Sequence, residues 1–242
     1  MRLSVSLVLV SISVVLAVPP TARKMSHRQD DDLQIPQGDL RMKTVVFPSE
    51  TSTSYVEMVP QKPMTLKAFT LCMRVATELP SSDREIILFA YRTRDYDELN
   101  VWRETDGRLS FYLSGEGAIF RAPELKSTQT HLCFTWDSST GAASIYIDGE
   151  KSVTKIYKKG HTVRADGKVI LGQDPDNFLG DFDAAQSFVG EIFDVNMWDY
   201  VLSHGMIASL ASWERTPRGN VFDWETIDLT PHGEVEILQT EL

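Results

Sequence analysis

From residue 41 onward the chain is a succession of short apolar runs separated by polar punctuation. LKAFTLCMRV, IILFAYR, RLSFYL, HLCFTW, ASIYI and KVILG alternate apolar with polar side chains or carry β-branched and aromatic residues, the pattern of strands. Asp106-Gly107, Asp148-Gly149 and Asp166-Gly167 fall between such runs, where a glycine supplies the positive φ of a tight turn. In the fourth run Leu132, Phe134 and Trp136 share one face, while His131, Cys133 and Thr135 share the other, so both faces are expected to be covered. One segment breaks the period of two. Ser203 can cap a helix that aligns Met206, Ile207, Leu210 and Trp213 on one side. The expectation is all-β: a two-sheet antiparallel sandwich with one short helix.

The first forty residues differ in kind. Arg2 precedes an apolar run that ends at Pro19 and Pro20, too short for a membrane span and of the form of a cleaved secretory leader. We expect a signal peptide over residues 1–17, with cleavage after Ala17 or Ala22, then a flexible polar extension over 18–40 and a folded domain over 41–242. The formal charge is −10, and loss of Arg2 with the leader makes it more negative. An acidic chain without basic clusters argues against nucleic acid as the main partner. In an oxidising compartment Cys72 and Cys133 are expected to pair, closing a loop worth roughly 4 kcal/mol in the chain-entropy model.

Between Asp174 and Gln186 lie four aspartates, 174, 176, 181 and 183, with the Gln186 amide following. Clustered oxygens suit a hard cation such as calcium, whereas zinc prefers the nitrogen or sulfur ligands this loop lacks. Asp, Asn, Pro and Gly also make ordinary exposed turns. The loop is not an EF-hand: counting from Asp174, its sixth position is Leu179 rather than glycine, and its twelfth is Ala185 rather than glutamate.

His131-Leu132-Cys133-Phe134-Thr135-Trp136-Asp137-Ser138 matches the pentraxin signature H-x-C-x-S/T-W-x-S/T at every defined position. The likeness runs from about residue 43 to 235, through VFPSETSTSYVEM, KAFTLCMR and VGEIFDVNMWDYVLS, and the chain resembles the short pentraxins. That resemblance implies a jelly roll with one helix, a bridged cysteine pair, two calcium ions per subunit and a ring of five subunits. It also implies recognition of phosphorylated head groups or carbohydrates on cell or microbial surfaces, an acute-phase and innate-immunity role without enzymatic activity. Its calcium ligands map here onto Asp174, Pro175 through its carbonyl, Asp176, Asp183 and Gln186. Asp174 and Asp183 shorten residues that are glutamate elsewhere in the family, which is expected to weaken the second ion. Asp181 falls outside the set and reads as a solvated loop charge. An earlier loop contributes Asp97 first and Asp95 second, with Glu98 as a flanking surface charge.

The same resemblance places Trp102 and Tyr112 at the ligand pocket, where they are either a paired aromatic wall or ordinary strand aromatics. Gly117 stands where a choline-facing glutamate is found in the family, with Glu116 adjacent, and Tyr112 crowds the choline hollow. Asp148 matches a residue that engages complement, but Ala211 replaces a tyrosine used beside it, which speaks against complement recruitment. His131, beside a cysteine on a strand, reads as a packed residue rather than a catalytic one.

Two other architectures share these features. A laminin-G-like adhesion module shares the sandwich but not the octapeptide. A jelly-roll glycosidase needs two closely set carboxylates. Glu191 and Asp194 are the nearest approach, and on a regular strand they project to opposite faces.

Overall fold

The computed structural model describes residues 41–81, 83–214 and 217–241. The expected leader and extension, residues 1–40, lie outside them. The first sheet runs β10 (Glu150–Lys151), β9 (Ala142–Ile147), β8 (Thr130–Asp137), β3 (Ala68–Ala76), β15 (Gly190–Trp198), β1 (Arg41–Phe47) and β17 (Glu236–Glu241), with β11 (Lys155–Ile156) also on β9. The second runs β16 (Leu229–His232), β2 (Tyr55–Met58), β12 (Lys168–Leu171), β4 (Ile86–Arg92), β5 (Asp97–Arg103), β6 (Leu109–Leu113) and β7 (Glu116–Phe120). Every pairing in both sheets is antiparallel, and the fold is a two-sheet jelly-roll sandwich.

The core lies between the sheets. Phe111 of β6 meets Phe69 of β3 edge-on at 5.8 Å and Phe134 of β8 at 6.2 Å, joining the layers through rings that each contribute roughly 1.5–3 kcal/mol when buried. The outer faces are covered too, which is why β3, β4, β5 and β8 are buried along almost their whole length. On the first sheet the cover is α1 (His204–Ala211), whose Ile207 packs on Cys72, Cys133, Tyr146 and Trp198. Ser203 caps it by accepting from Met206 N, as its position before the apolar period requires. The helix ends before Trp213, which takes a positive φ of 61° and lays its ring on the Arg74 guanidinium instead of continuing the helical stripe. Cys72 and Cys133 face each other in the β3–β8 register and are bonded.

On the second sheet the cover is the segment that follows β12. Gly172 turns the chain out of the strand at φ 84°, and a β-carbon there would stand 2.2 Å from the Phe47 ring, so the turn admits only glycine. The acidic segment then forms a small hairpin, β13 (Pro175–Asn177) against β14 (Gly180–Phe182), and a 3-10 turn, Ala184–Gln186, rather than an irregular loop. Phe182 packs with Trp102, Tyr112 and Tyr55 on the outer face of the sheet. One turn differs from expectation: at Asp166-Gly167 the positive φ belongs to Asp166, at 65°, and not to the glycine.

Candidate metal centre

Asp174 is the buried member of the acidic segment. Burial, and then the charges of Asp97 and Asp176, push its carboxyl up to about 7, with Arg92 opposing. Asp97, at the start of β5, is close enough for its charge to act on Asp174 and is ion-paired with Arg92. Asp95 is exposed and is not among the charges acting on Asp174. Asp176 is exposed at the hairpin, and Pro175 is buried opposite Phe182. Asp183 caps the 3-10 turn by accepting from Ala185 N at 2.9 Å. That turn carries Gln186, whose Nε2 donates to Glu85 at 3.3 Å while its Oε1 is buried without a donor. Asp181 is exposed and accepts from Asn177, as a solvated loop charge should.

Three residues that sequence reasoning passed over hold this arrangement. Arg84 donates to the carbonyls of Ala185 and Ser187, at 2.7 and 2.6 Å, and so clamps both sides of Gln186. Arg103, fully buried, donates to Arg84 O at 3.0 Å. Asn100 donates to Asp174 at 2.8 Å. Local pattern could flag Asn100 only as a polar residue in an apolar strand. A donor set of carboxylates, an amide oxygen and a backbone carbonyl, with the Gln186 acceptor unpaired and Asp174 crowded by like charge, fits a hard divalent cation.

Beside it, Trp102 is almost buried and Tyr112 half-buried. The Tyr112 hydroxyl donates to Glu104 at 3.1 Å; burial and that carboxylate raise its pKa, so it stays a neutral donor. Glu116 is exposed and its carboxylate lies 3.1 Å from Lys158 Nζ, on the strand that carries Gly117.

Glu98 corrects an expectation: it is not a surface charge but 0% exposed. It accepts from Arg164 N at 2.7 Å, pairs with the Arg164 guanidinium and accepts from Ser114 Oγ at 2.9 Å. His161 completes the group, yet Ser114 at 3.5 Å and Glu98 at 3.7 Å both approach its Nε2. A nucleophile relay needs its serine and acid on opposite ring nitrogens, so this cluster is structural. Asp194 is paired with Arg74 at 3.2 Å at a bulge in β15, where it takes a φ of 53°, and so is not set against Glu191 as a second carboxylate. His131 is buried with Nε2 3.7 Å from Cys133 Sγ, but both sulfurs are committed to the disulfide.

Comparison with known proteins identifies the family. Residues 43–238 match the sequence profile described as "Pentaxin family". The chain belongs to the pentraxin family. It is 52% identical to C-reactive protein of Danio rerio over 200 residues, covering 81% of this chain and 88% of that one. It is 39% identical to C-reactive protein of Homo sapiens, over 82% of this chain and 88% of that one. The fold also superposes on a heptameric SAP-like pentraxin from Limulus polyphemus with a TM-score of 0.71 at 23% identity, covering 82% of this chain and 95% of that one. A match of this extent leaves the laminin-G-like reading without support.

Proposed function

We propose that this pentraxin is a secreted, calcium-dependent recognition protein that captures phosphate- or carbohydrate-bearing surfaces. The observation that carries this reading is the buried Asp174 under the like charges of Asp97, Asp176 and Glu85, with Glu85 also holding the Gln186 amide, whose oxygen is unpaired. Asp97, Asp174, Pro175 O, Asp176, Asp183 and Gln186 would hold the ions, two per subunit, and Asp95 ranks below Asp97. Bound calcium supplies positive charge with open coordination positions for phosphate, carboxylate or sugar oxygens. The chain supplies the aromatic wall of Trp102 and Tyr112, on the sheet face that the acidic segment also covers.

Two carboxylates compete for the ligand's cationic end. Glu104 already takes the Tyr112 hydroxyl, whereas Glu116 is turned toward Lys158. A compact ammonium suits this arrangement better than a choline group, because the Tyr112 ring fills the space above Gly117. We therefore expect phosphoethanolamine or an acidic sugar to bind better than phosphocholine.

Secretion is supported by the apolar leader, and no helix among the described residues is long and apolar enough to cross a membrane. A ring of five follows from the family likeness, while the Limulus neighbour is heptameric. Native mass spectrometry decides the number. The test of function is retention on phosphocholine and phosphoethanolamine resins with calcium or with chelator. Retention that survives chelation would overturn the calcium reading.

A further inference from the structure

This inference rests on the calcium reading and adds a residue to it. Asn100 stands in β5 opposite Ala90 of β4 and Tyr112 of β6, two residues from Trp102 on the same face. Its neighbours on that face include Ile87, Ala90 and Ile170, so an aliphatic side chain would serve the packing. Instead there is an amide, 4% exposed. An amide removed so far from water is costly unless both its ends find partners. One end has a partner: Nδ2 donates to Asp174 Oδ1 at 2.8 Å. The other has none, for Oδ1 is buried without a donor. The charges that act on its partner Asp174 are mostly further acids, Asp97, Asp176 and Glu85.

That pairing has a geometric consequence. An aspartate carboxylate turns broadly about its last torsion. A hydrogen bond to one oxygen fixes that torsion, and among the described residues no donor reaches Asp174 Oδ2. We propose that Asn100 is a positioning residue of the calcium site, holding Asp174 through Oδ1 so that Oδ2 is presented to the ion. The matched ligand set does not include it. It belongs to the strand floor rather than to the acidic segment. Its unpaired oxygen is an independent sign that this buried floor takes a partner the protein itself does not supply.

The test is calorimetric calcium titration of the full protein and of Asn100→Leu, Asp174→Asn and the double variant, with melting curves in chelator. Asn100→Leu should weaken calcium binding by about tenfold or more, the range for residues that orient metal ligands, while leaving the chelator melting temperature unchanged or raised. In the Asp174→Asn background the same change should add nothing further. If leucine disturbs the packing, Asn100→Ala repeats the test without added bulk. Wild-type calcium affinity in Asn100→Leu, or losses that simply add in the double variant, would overturn the role of Asn100 alone. Absence of calcium binding by the wild-type protein would instead sink the calcium reading on which it stands.

Discussion

Tyr112 lies over Gly117: a β-carbon on Gly117 would stand 2.7 Å from the Tyr112 ring, and the two residues are paired across β6 and β7. The aromatic ring and the missing side chain are therefore one feature. Gly117→Glu alone should displace the ring, lower the melting temperature and leave phosphocholine binding weak. Combined with Tyr112→Thr, the same change should open a hollow with a carboxylate beside Trp102 and raise phosphocholine affinity by about tenfold or more, since a desolvated cation–aromatic contact with the Trp102 face is worth up to about 2 kcal/mol. Competition on phosphocholine resin measures both, and a gain in the single variant would show that Tyr112 is not the obstacle.

Calcium should stabilise the fold, because the carboxylates that crowd Asp174 repel until a cation neutralises them. At a hundred times the dissociation constant, one site adds about 2.7 kcal/mol. Asp176→Asn should remove much of this gain, while Asp181→Asn, which changes an exposed residue bonded only to Asn177, should leave it intact. Melting curves with calcium and with chelator give the ranking; the reverse order would mean the ligands are misassigned.

Glu98 is buried with the Arg164 backbone, the Arg164 guanidinium and Ser114 all directed at it. Removing it leaves a backbone donor and a half-exposed charge without their acceptor. Glu98→Ala should cost roughly 1–3 kcal/mol. Glu98→Gln, which keeps an acceptor, should cost less. Chemical denaturation in chelator separates the two, and an alanine variant as stable as wild type would show that water replaces the carboxylate without loss.

The strands were legible because their signal is local: alternation places Leu132, Phe134 and Trp136 inward, and these residues are buried in the core. The same holds for the Ser203 cap, and the cysteine pair followed from compartment. What escaped depends on distant segments. Glu98 looks like a surface charge until Arg164 and Ser114 fold over it, and nothing near position 98 announces them. The β13–β14 hairpin turns at Phe178-Leu179, neither of them a turn former, so the segment reads as loop. Asn100 was hidden for the opposite reason. Its strand was correctly read, but the partner that gives its amide a purpose arrives 74 residues later.

His131 gives the fold a pH dependence independent of calcium. Burial first, and the Arg74 charge second, lower its pKa to about 3. Unfolded, the same ring titrates near 6.5. Between those values the unfolded chain takes up a proton that the folded chain refuses. Stability is therefore complete above about pH 6.5 and falls as the pH drops toward 3, by at most about 1.4 kcal/mol per unit for this one group. His131→Leu removes the titration and also the buried, unpaired Nδ1. The expected result in chelator is a wild-type melting temperature that drops more between pH 7 and pH 4.5 than that of the variant. Carboxylates such as Asp174 titrate in the same range but are common to both proteins, so they cancel in the difference. Parallel pH profiles for the two proteins would show that the folded ring takes the proton as readily as the unfolded one, and that its burial is relieved on protonation.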